Sequence, residues 1–350
     1  MRVTNDRPVP VPGPGEVLIR VLAAGICGTD RHIYNWDESM RDMVRPPLVP
    51  GHEFCGEVAE VGRDVPASVA VGDYVSAEMH VVCGSCYQCR TGQGHTCHNT
   101  LIYGIHRDGA FAEYVRVPAT NVIRLDRDRV PVSIGAFLDA LGNAVHTVLR
   151  VPVAGKSVCI TGYGPIGAMA AAVAHFCGAG RIHITDVNPY SLAKAREWKT
   201  RIEKARAGHP FVHIHDVGPA TREEAIWRIQ KENGDGVDVV LEMSGSPVAV
   251  NDALKVVRSG GDVVLLGLPR SSKMTLENYK GDLVMRGVTM HGIIGRRMYE
   301  TWYRMLAMIE AGLDVSHVVT HEVPLSGFVE AMGSLNRGEG MKVVLYPGGK

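Results

Sequence analysis

Short runs of alternating apolar and polar residues, broken by glycine and proline, fill the chain from Met1 to about Gly142. Residues 16–23, 54–61, 73–77 and 112–117 read as strands by this pattern. Such strands with frequent turn residues predict a partly open antiparallel barrel. The texture changes near Asn143. Residues 157–161 form a buried-strand run, followed by a glycine turn and the long apolar stretch 166–177. Residues 181–185, 237–242 and 262–266 read as further strands with helical segments between them. Alternating β and α units predict a parallel, doubly wound sheet, so the expected class is α/β. Residues 299–311 have the pattern of an amphipathic helix, which returns the chain to the first domain. The predicted domains are therefore 1–142 with 296–350, and 143–295.

The densest chemistry is Cys83-x-x-Cys86-x-x-Cys89-x7-Cys97, four thiols in fifteen residues. A loop of this kind wraps one tetrahedral ion, and four thiolates leave no open position on zinc, so the site is expected to be structural. The chain holds eight cysteines in all. Their clustering at metal-ligand spacing, without a signal peptide's apolar centre at the N-terminus, argues against disulfides and for reduced thiols in a cytosol. At 350 residues, 21% charged and formally neutral, the composition is that of a globular protein with no bias toward nucleic acid or anionic membrane. No apolar run reaches the ~20 residues that span a bilayer.

The run 157–161 leads into Gly162-Tyr163-Gly164-Pro165-Ile166-Gly167, which opens a helix. In that setting Gly162 permits the tight turn, Gly164 lets a pyrophosphate approach, and Gly167 lets helix and strand pack. The next strand ends at Asp186, nineteen residues beyond Gly167. Its carboxylate can accept a bond from a ribose 2′-hydroxyl and would repel a 2′-phosphate, so NAD is expected rather than NADP. The plainer alternative for Asp186 is a cap after a strand.

Cys27, in Gly25-Ile26-Cys27-Gly28-Thr29-Asp30, precedes Gly51-His52-Glu53. One thiolate, one imidazole and one carboxylate suit a second zinc that keeps a position open and acts as a Lewis acid on an alcohol oxygen. Thr29 and His32 are suited to relay the released proton, a hydroxyl and an imidazole in series. On its own His32 would be read as a surface histidine; its place beside Cys27 favours the relay. Glu53 reads either as a ligand or as a carboxylate beside the ligands. Asp139 is a further carboxylate able to approach the metal or support the relay.

Taken together these residues resemble the zinc-dependent medium-chain alcohol dehydrogenase family, and most closely its branch that oxidises L-threonine at the 3-hydroxyl. The resemblance rests on Gly25 to Asp30 with His32-Ile33-Tyr34-Asn35-Trp36-Asp37, on Gly51-His52-Glu53, on the four-cysteine loop and on Gly142-Asn143-Ala144-Val145-His146-Thr147. Further along it includes Ile184-Thr185-Asp186-Val187-Asn188, Leu241-Glu242-Met243-Ser244-Gly245, and Gly295-Arg296-x-Met298-x-Glu300-Thr301-Trp302-Tyr303. It implies a GroES-like zinc domain and a Rossmann domain. Cys27, His52 and Glu53 match the catalytic zinc positions, and Cys83, Cys86, Cys89 and Cys97 the structural zinc. Thr29 and His32 match the relay pair, and Asp139 a carboxylate that assists proton transfer. Ile166, Asp186, Leu266, Gly267, Leu268, Ile293 and Ile294 fall on nucleotide-contacting positions. The implied reaction reduces NAD while converting threonine to 2-amino-3-oxobutanoate, in a cytoplasmic homotetramer whose edge strand near 288–293 pairs between subunits.

Three departures accompany the likeness. Ser191 stands where the family carries arginine, removing an adenosine-side contact. The stretch 198–215 is expected to replace a shorter helix-to-strand connection. Met1 falls about a strand-length into the family's usual start, so either a first strand is expected to be missing or the start codon is misassigned. Two other readings stay open: a polyol or secondary-alcohol dehydrogenase on the same scaffold, and a nucleotide-binding protein without catalysis. Arg296 is expected either to meet a substrate carboxylate or to be a surface residue at a helix start.

Overall fold

The computed structural model describes residues 1–204, 211–269 and 271–349, apart from the side chain of Ser39. The chain divides into two compact units, 1–142 with 296–350, and 143–295.

In the first unit the strand Glu16–Gly25 is the hub of a seven-stranded sheet. It pairs antiparallel with Phe54–Val61, Tyr114–Pro118 and the end of Lys342–Tyr346. Three partners fit one strand because Tyr114–Pro118 pairs with residues 16–20 and Lys342–Tyr346 with Ala24 and Gly25 along one edge, while Phe54–Val61 takes the other edge, with register shifts between Leu18 and Ile19 and between Val21 and Ala23. Tyr74–Ala77 and Val122–Arg124 extend one side of the sheet, and Val319–Pro324 ends the other. The sheet is not wholly antiparallel as expected. Val319–Pro324 runs parallel to Lys342–Tyr346, because the helix Phe328–Asn336 crosses over between them. Val17, Ile19, Val21, Phe54, Val58, Val75, Phe111 and Phe328 share one buried cluster in this unit. Among the described residues no strand precedes Glu16.

In the second unit six parallel strands run in the spatial order Val212–Asp216, Arg181–Asp186, Ser157–Thr161, Val237–Glu242, Val257–Leu265, Thr289–Gly292. That is the dinucleotide-binding order, which reverses beside Ser157–Thr161. The helix Pro165–Phe176 is buried along Gly167–Ala174, as its unbroken apolar run requires. Two expectations are corrected. The strand placed at 262–266 begins at Val257, since the ladder passes through Gly260 (φ 72°) with a register shift that glycine accommodates. The stretch 198–215 is not mainly a connection either. The helix Pro189–Lys204 continues through Trp198, whose ring packs 6.4 Å from that of Tyr163, and a strand resumes at Val212. Residues 205–210 of that stretch lie outside the described residues.

Parallel pairing sets His213 directly beside His183, with His215 two residues on along the same face. The rings stack, His183 on His213 at 4.9 Å and on His215 at 5.3 Å. Asn233 Nδ2 donates to both Ile229 O, at 2.6 Å, and His183 Nε2, at 2.9 Å. Nε2 is therefore the acceptor, and Nδ1 carries the proton that His183 gives to His215 Nε2 at 3.0 Å. Two nitrogens aimed at each other form a neutral hydrogen-bonded chain, not a pair of lone pairs aimed at a shared ion. Burial, reinforced by the neighbouring histidines, pushes His183 down to about 2 and His215 down to about 4. Glu232 faces His213 at 3.1 Å, and Arg181 and Arg228 add positive charge nearby. An unfolded histidine takes up its proton near pH 6.5, before the folded pair does, so stability falls as pH drops below that value. In urea denaturation the difference between the wild type and variants of this pair should be flat above pH 7 and should approach ~1.4 kcal/mol per histidine per pH unit between pH 6 and 4.5. The double variant His183→Gln/His215→Gln should lose most of that slope.

Candidate active site

Cys27 caps the N-terminus of the helix Gly28–Asn35, where its extended backbone (φ −100°) turns into the first helical turn. Asp30 Oδ2 accepts the Cys27 N–H at 2.8 Å and so fixes that turn. Asp30 is fully buried, and its Oδ1 lies 3.7 Å from His52 Nδ1. His52 and Glu53 enter just before the strand Phe54–Val61. A side chain at Gly25 would bring its Cβ to 2.6 Å from Glu53 Oε2, so glycine is what lets the carboxylate lie there. One donor atom each from Cys27, His52 and Glu53 lies within 4.8 Å of the others. Of this set Glu53 Oε1 is buried without a hydrogen-bond partner, while His52 Nδ1 is the ring nitrogen turned toward Asp30. A dication would satisfy such donors, so the set fits zinc with a fourth position to spare.

Charge makes the same point. Asp30, Glu53, Glu78 and Asp139 are all buried, against two buried cations, Lys342 and Arg296. Burial pushes the carboxyls of Asp30 and Glu53 up, and only partly do nearby cations pull them back. Burial also opposes charge on His52, yet the anions at Asp30 and Cys27 outweigh it and raise its pKa. The pocket's field is negative and suits a divalent cation.

Thr29 is half-buried in the first turn of the same helix. His32 lies on its outer face with half of its side chain exposed, and its Nδ1 is 2.5 Å from Asp37 Oδ2. Asp139, in the first turn of Leu138–Val148, is not among the three converging donors. Its carboxylate pairs instead with Arg296 at 2.8 Å. Arg296 itself is buried, which removes the surface reading. Its guanidinium spans two protein carboxylates, because Glu78 accepts from its Nε at 3.0 Å and from its Nη2 at 2.5 Å. Glu78 also accepts from Trp302 Nε1 and faces His80 Nδ1, each at 2.8 Å. Against burial, Arg296 and His80 hold the Glu78 carboxyl well below the usual range. Glu78, His80 and Trp302 were not read as one group from the sequence. The signal for them is an acid and an imidazole two apart just before the cysteine loop.

Within that loop, sulfur–sulfur distances are 3.5 Å for Cys86–Cys89, 3.8 Å for Cys86–Cys97 and 3.6 Å for Cys83–Cys97. A disulfide needs ~2.05 Å. A tetrahedron of ~2.3 Å zinc–sulfur bonds has edges of ~3.8 Å, so the four sulfurs fit one ion. Backbone N–H groups of Ser85 and Cys86 draw the Cys83 thiol down to about 5.

In the second unit the helix Pro165–Phe176 begins at Gly164 with no side-chain cap, leaving its first N–H groups for a phosphate. A Cβ at Gly167 would lie 1.9 Å from Gly162 O, which requires glycine there. Asp186 ends its strand with Oδ2 accepting from Tyr163 N at 2.6 Å and Oδ1 from Val187 N and Asn188 N at 2.7 Å. The cap and the ribose readings are thus compatible: the backbone bonds aim the carboxylate. Ile166 is half-buried in the helix's first turn. Leu266 and Gly267 donate to Glu242 O, Ile293 donates to Leu265 O, and Leu268 and Ile294 are exposed. All lie beyond the carboxyl ends of parallel strands, where this sheet order binds dinucleotides. Glu242, unassigned from the sequence, caps this rim through Ser244 and Gly245 N–H groups at 2.8 and 3.0 Å. Ser191 is buried in the helix Pro189–Lys204.

The alcohol dehydrogenase GroES-like domain matches residues 13–127, and the zinc-binding dehydrogenase domain matches residues 165–311. An L-threonine 3-dehydrogenase from Chelativorans sp. (strain BNC1) is 43% identical over 340 residues, covering 97% of this chain and 93% of that protein. Another from Caldanaerobacter subterraneus subsp. tengcongensis is also 43% identical, with coverage of 97% and 93%. Among solved structures, a zinc-binding dehydrogenase from Sinorhizobium meliloti 1021 bound to NADP superposes with a TM-score of 0.82 at 29% identity, covering 97% and 94% of the two chains. 2R,3R-butanediol dehydrogenase from Bacillus subtilis gives 0.82 at 26% identity, with the same coverage. The chain belongs to the zinc-dependent medium-chain alcohol dehydrogenase family.

The buried Arg296 bridge yields a stability test. Arg296→Met leaves Glu78 and Asp139 facing each other without their shared cation, which should cost about 3–5 kcal/mol in urea denaturation. A loss under 1 kcal/mol would show that the carboxylates are satisfied without it.

Proposed function

We propose that this chain is a zinc- and NAD-dependent dehydrogenase that oxidises the 3-hydroxyl of L-threonine to give 2-amino-3-oxobutanoate and NADH. The observation that carries the chemistry is the convergence of Cys27, His52 and Glu53, with one buried carboxylate oxygen of Glu53 unpartnered. The substrate follows from the relatives' activity, shared over nearly the whole length of the chain. Residues 1–142 and 296–350 serve as the catalytic domain, and 143–295 as the NAD domain.

Bound at Cys27, His52 and Glu53, zinc supplies a Lewis acid that makes the substrate hydroxyl a far better proton donor. Asp30 holds the Cys27 turn and faces His52 from behind, keeping both donors aimed inward. The Thr29 hydroxyl accepts the proton and passes its own to His32. Half-exposed and oriented through Nδ1 by Asp37, His32 releases it to water. Asp139, held by Arg296 close to His52 and Glu53, is the carboxylate we assign to assisting proton transfer out of the site. Asp186 takes the ribose hydroxyl and repels a 2′-phosphate, so NAD is the cofactor. Cys83, Cys86, Cys89 and Cys97 hold the structural ion.

We further assign the protein to the cytoplasm, where its free thiols stay reduced, as a homotetramer. No helix among the described residues is long and apolar enough to cross a membrane. Among the described residues the strand Thr289–Gly292 is paired on one side, which leaves an edge for a second subunit. The structural likeness to a butanediol dehydrogenase makes vicinal diols the second substrate class to test.

NADH formation measured over L-threonine, its stereoisomers, 2,3-butanediol and common polyols should single out L-threonine. Activity confined to diols or polyols would move the assignment to the second class. Cys27→Ala should lower turnover at least 10³-fold while NAD binding, followed by fluorescence titration, stays within a factor of about three. Full turnover in that variant would overturn the metal mechanism.

A further inference from the structure

Lys342 is buried at the start of the strand Lys342–Tyr346, and the reading above gives it no role. Its ammonium donates to Ile26 O at 3.1 Å and to Glu53 Oε2 at 2.5 Å. Ile26 immediately precedes Cys27, so one cation ties together the backbone beside one metal donor and the carboxylate of another. The strand brings it there by register: Ile26 N donates to Val343 O, and Gly25 pairs with Val344. The second oxygen of Glu53, Oε1, is buried and makes no hydrogen bond.

Resting on the assignment of Cys27, His52 and Glu53 to the catalytic zinc, we propose that Lys342 is a positioning residue that limits Glu53 to one free oxygen. By sharing the carboxylate with the metal, Lys342 keeps Glu53 a weak and displaceable ligand. Physical reasons support this. A carboxylate with one oxygen bound to an ammonium 2.5 Å away cannot turn to grip an ion with both. The ammonium and a dication on opposite oxygens of one carboxylate repel, at a site too buried for water to screen them. A site that must accept a substrate oxygen needs a position that is not saturated by protein ligands. The buried cation thus trades metal affinity for an open position.

The experiment uses the full-length zinc protein and follows zinc removal by a chelator, with metal content per chain measured by mass spectrometry. The loosely held ion is the one lost first, and its loss in Cys27→Ala identifies it with the Cys27 site. Lys342→Met should slow removal of that ion roughly tenfold or more, lower kcat by a similar factor and raise KM for the alcohol. With Co2+ exchanged into the site, the visible absorption bands of Lys342→Met should shift toward higher coordination. In a Glu53→Gln background the further change Lys342→Met should have no effect on removal rate or spectrum, because its action runs through that carboxylate. If Lys342→Met fails to fold, Lys342→Gln removes the charge that opposes the dication, and slower removal is still expected, by a smaller factor. Unchanged removal and spectrum, or an equal effect of Lys342→Met with and without Glu53, would overturn the proposal while leaving the zinc assignment standing. Retention of both ions in Cys27→Ala would instead overturn the zinc assignment itself.

Discussion

Among the described residues one unit buries four carboxylates, Asp30, Glu53, Glu78 and Asp139, against the two cations Lys342 and Arg296 and the imidazole of His52. That imbalance is the constraint on which the site depends. Taking ions out of water costs several kcal/mol each, and only close pairing offsets it. Arg296 resolves the part around Glu78 and Asp139, and Lys342 the part at one oxygen of Glu53. What is left over gathers at Cys27, His52, Asp30 and the far oxygen of Glu53. This excess of buried acidic groups suits a divalent ion, so folding this unit and loading its metal are linked.

The sheet exists to bring those groups together. The strand Glu16–Gly25 delivers Cys27, Phe54–Val61 follows directly from His52 and Glu53, and Lys342–Tyr346 delivers the counter-cation from the far end of the chain. The hub strand pairs with both of the others, so donors separated by up to 315 positions meet at its end. In the second unit the same economy appears at the carboxyl ends of the strands. There Asp186 and Glu242 spend their oxygens on backbone N–H groups and so shape the rim from within.

Motifs whose members lie close in sequence were legible beforehand. The four cysteines, the glycines of 162–167, and Cys27 with His52 and Glu53 all carry their chemistry in spacing or in neighbouring residues. Strand cores were legible by alternation, whereas the start at Val257 was hidden by Gly260 and Gly261, which carry no side chain to show a face. Lys342, Glu78 and Trp302 were opaque for a different reason. Each acts through a partner more than two hundred positions away, and nothing about a lysine in Met341-Lys342-Val343-Val344 tells it from a solvated one. Arg296 was singled out, but its two carboxylate partners could only be seen once the chain was folded.

The central claim is that one divalent ion sits among Cys27, His52 and Glu53 and a second among the four clustered cysteines. Anomalous diffraction recorded on both sides of the zinc absorption edge locates such ions directly. The account predicts two peaks per chain, one within ~2.0–2.4 Å of Cys27 Sγ, a His52 nitrogen and Glu53 Oε1, the other at the centre of Cys83, Cys86, Cys89 and Cys97. A single peak at the cysteine loop, with Cys27 and His52 bare in fully active protein, would contradict it.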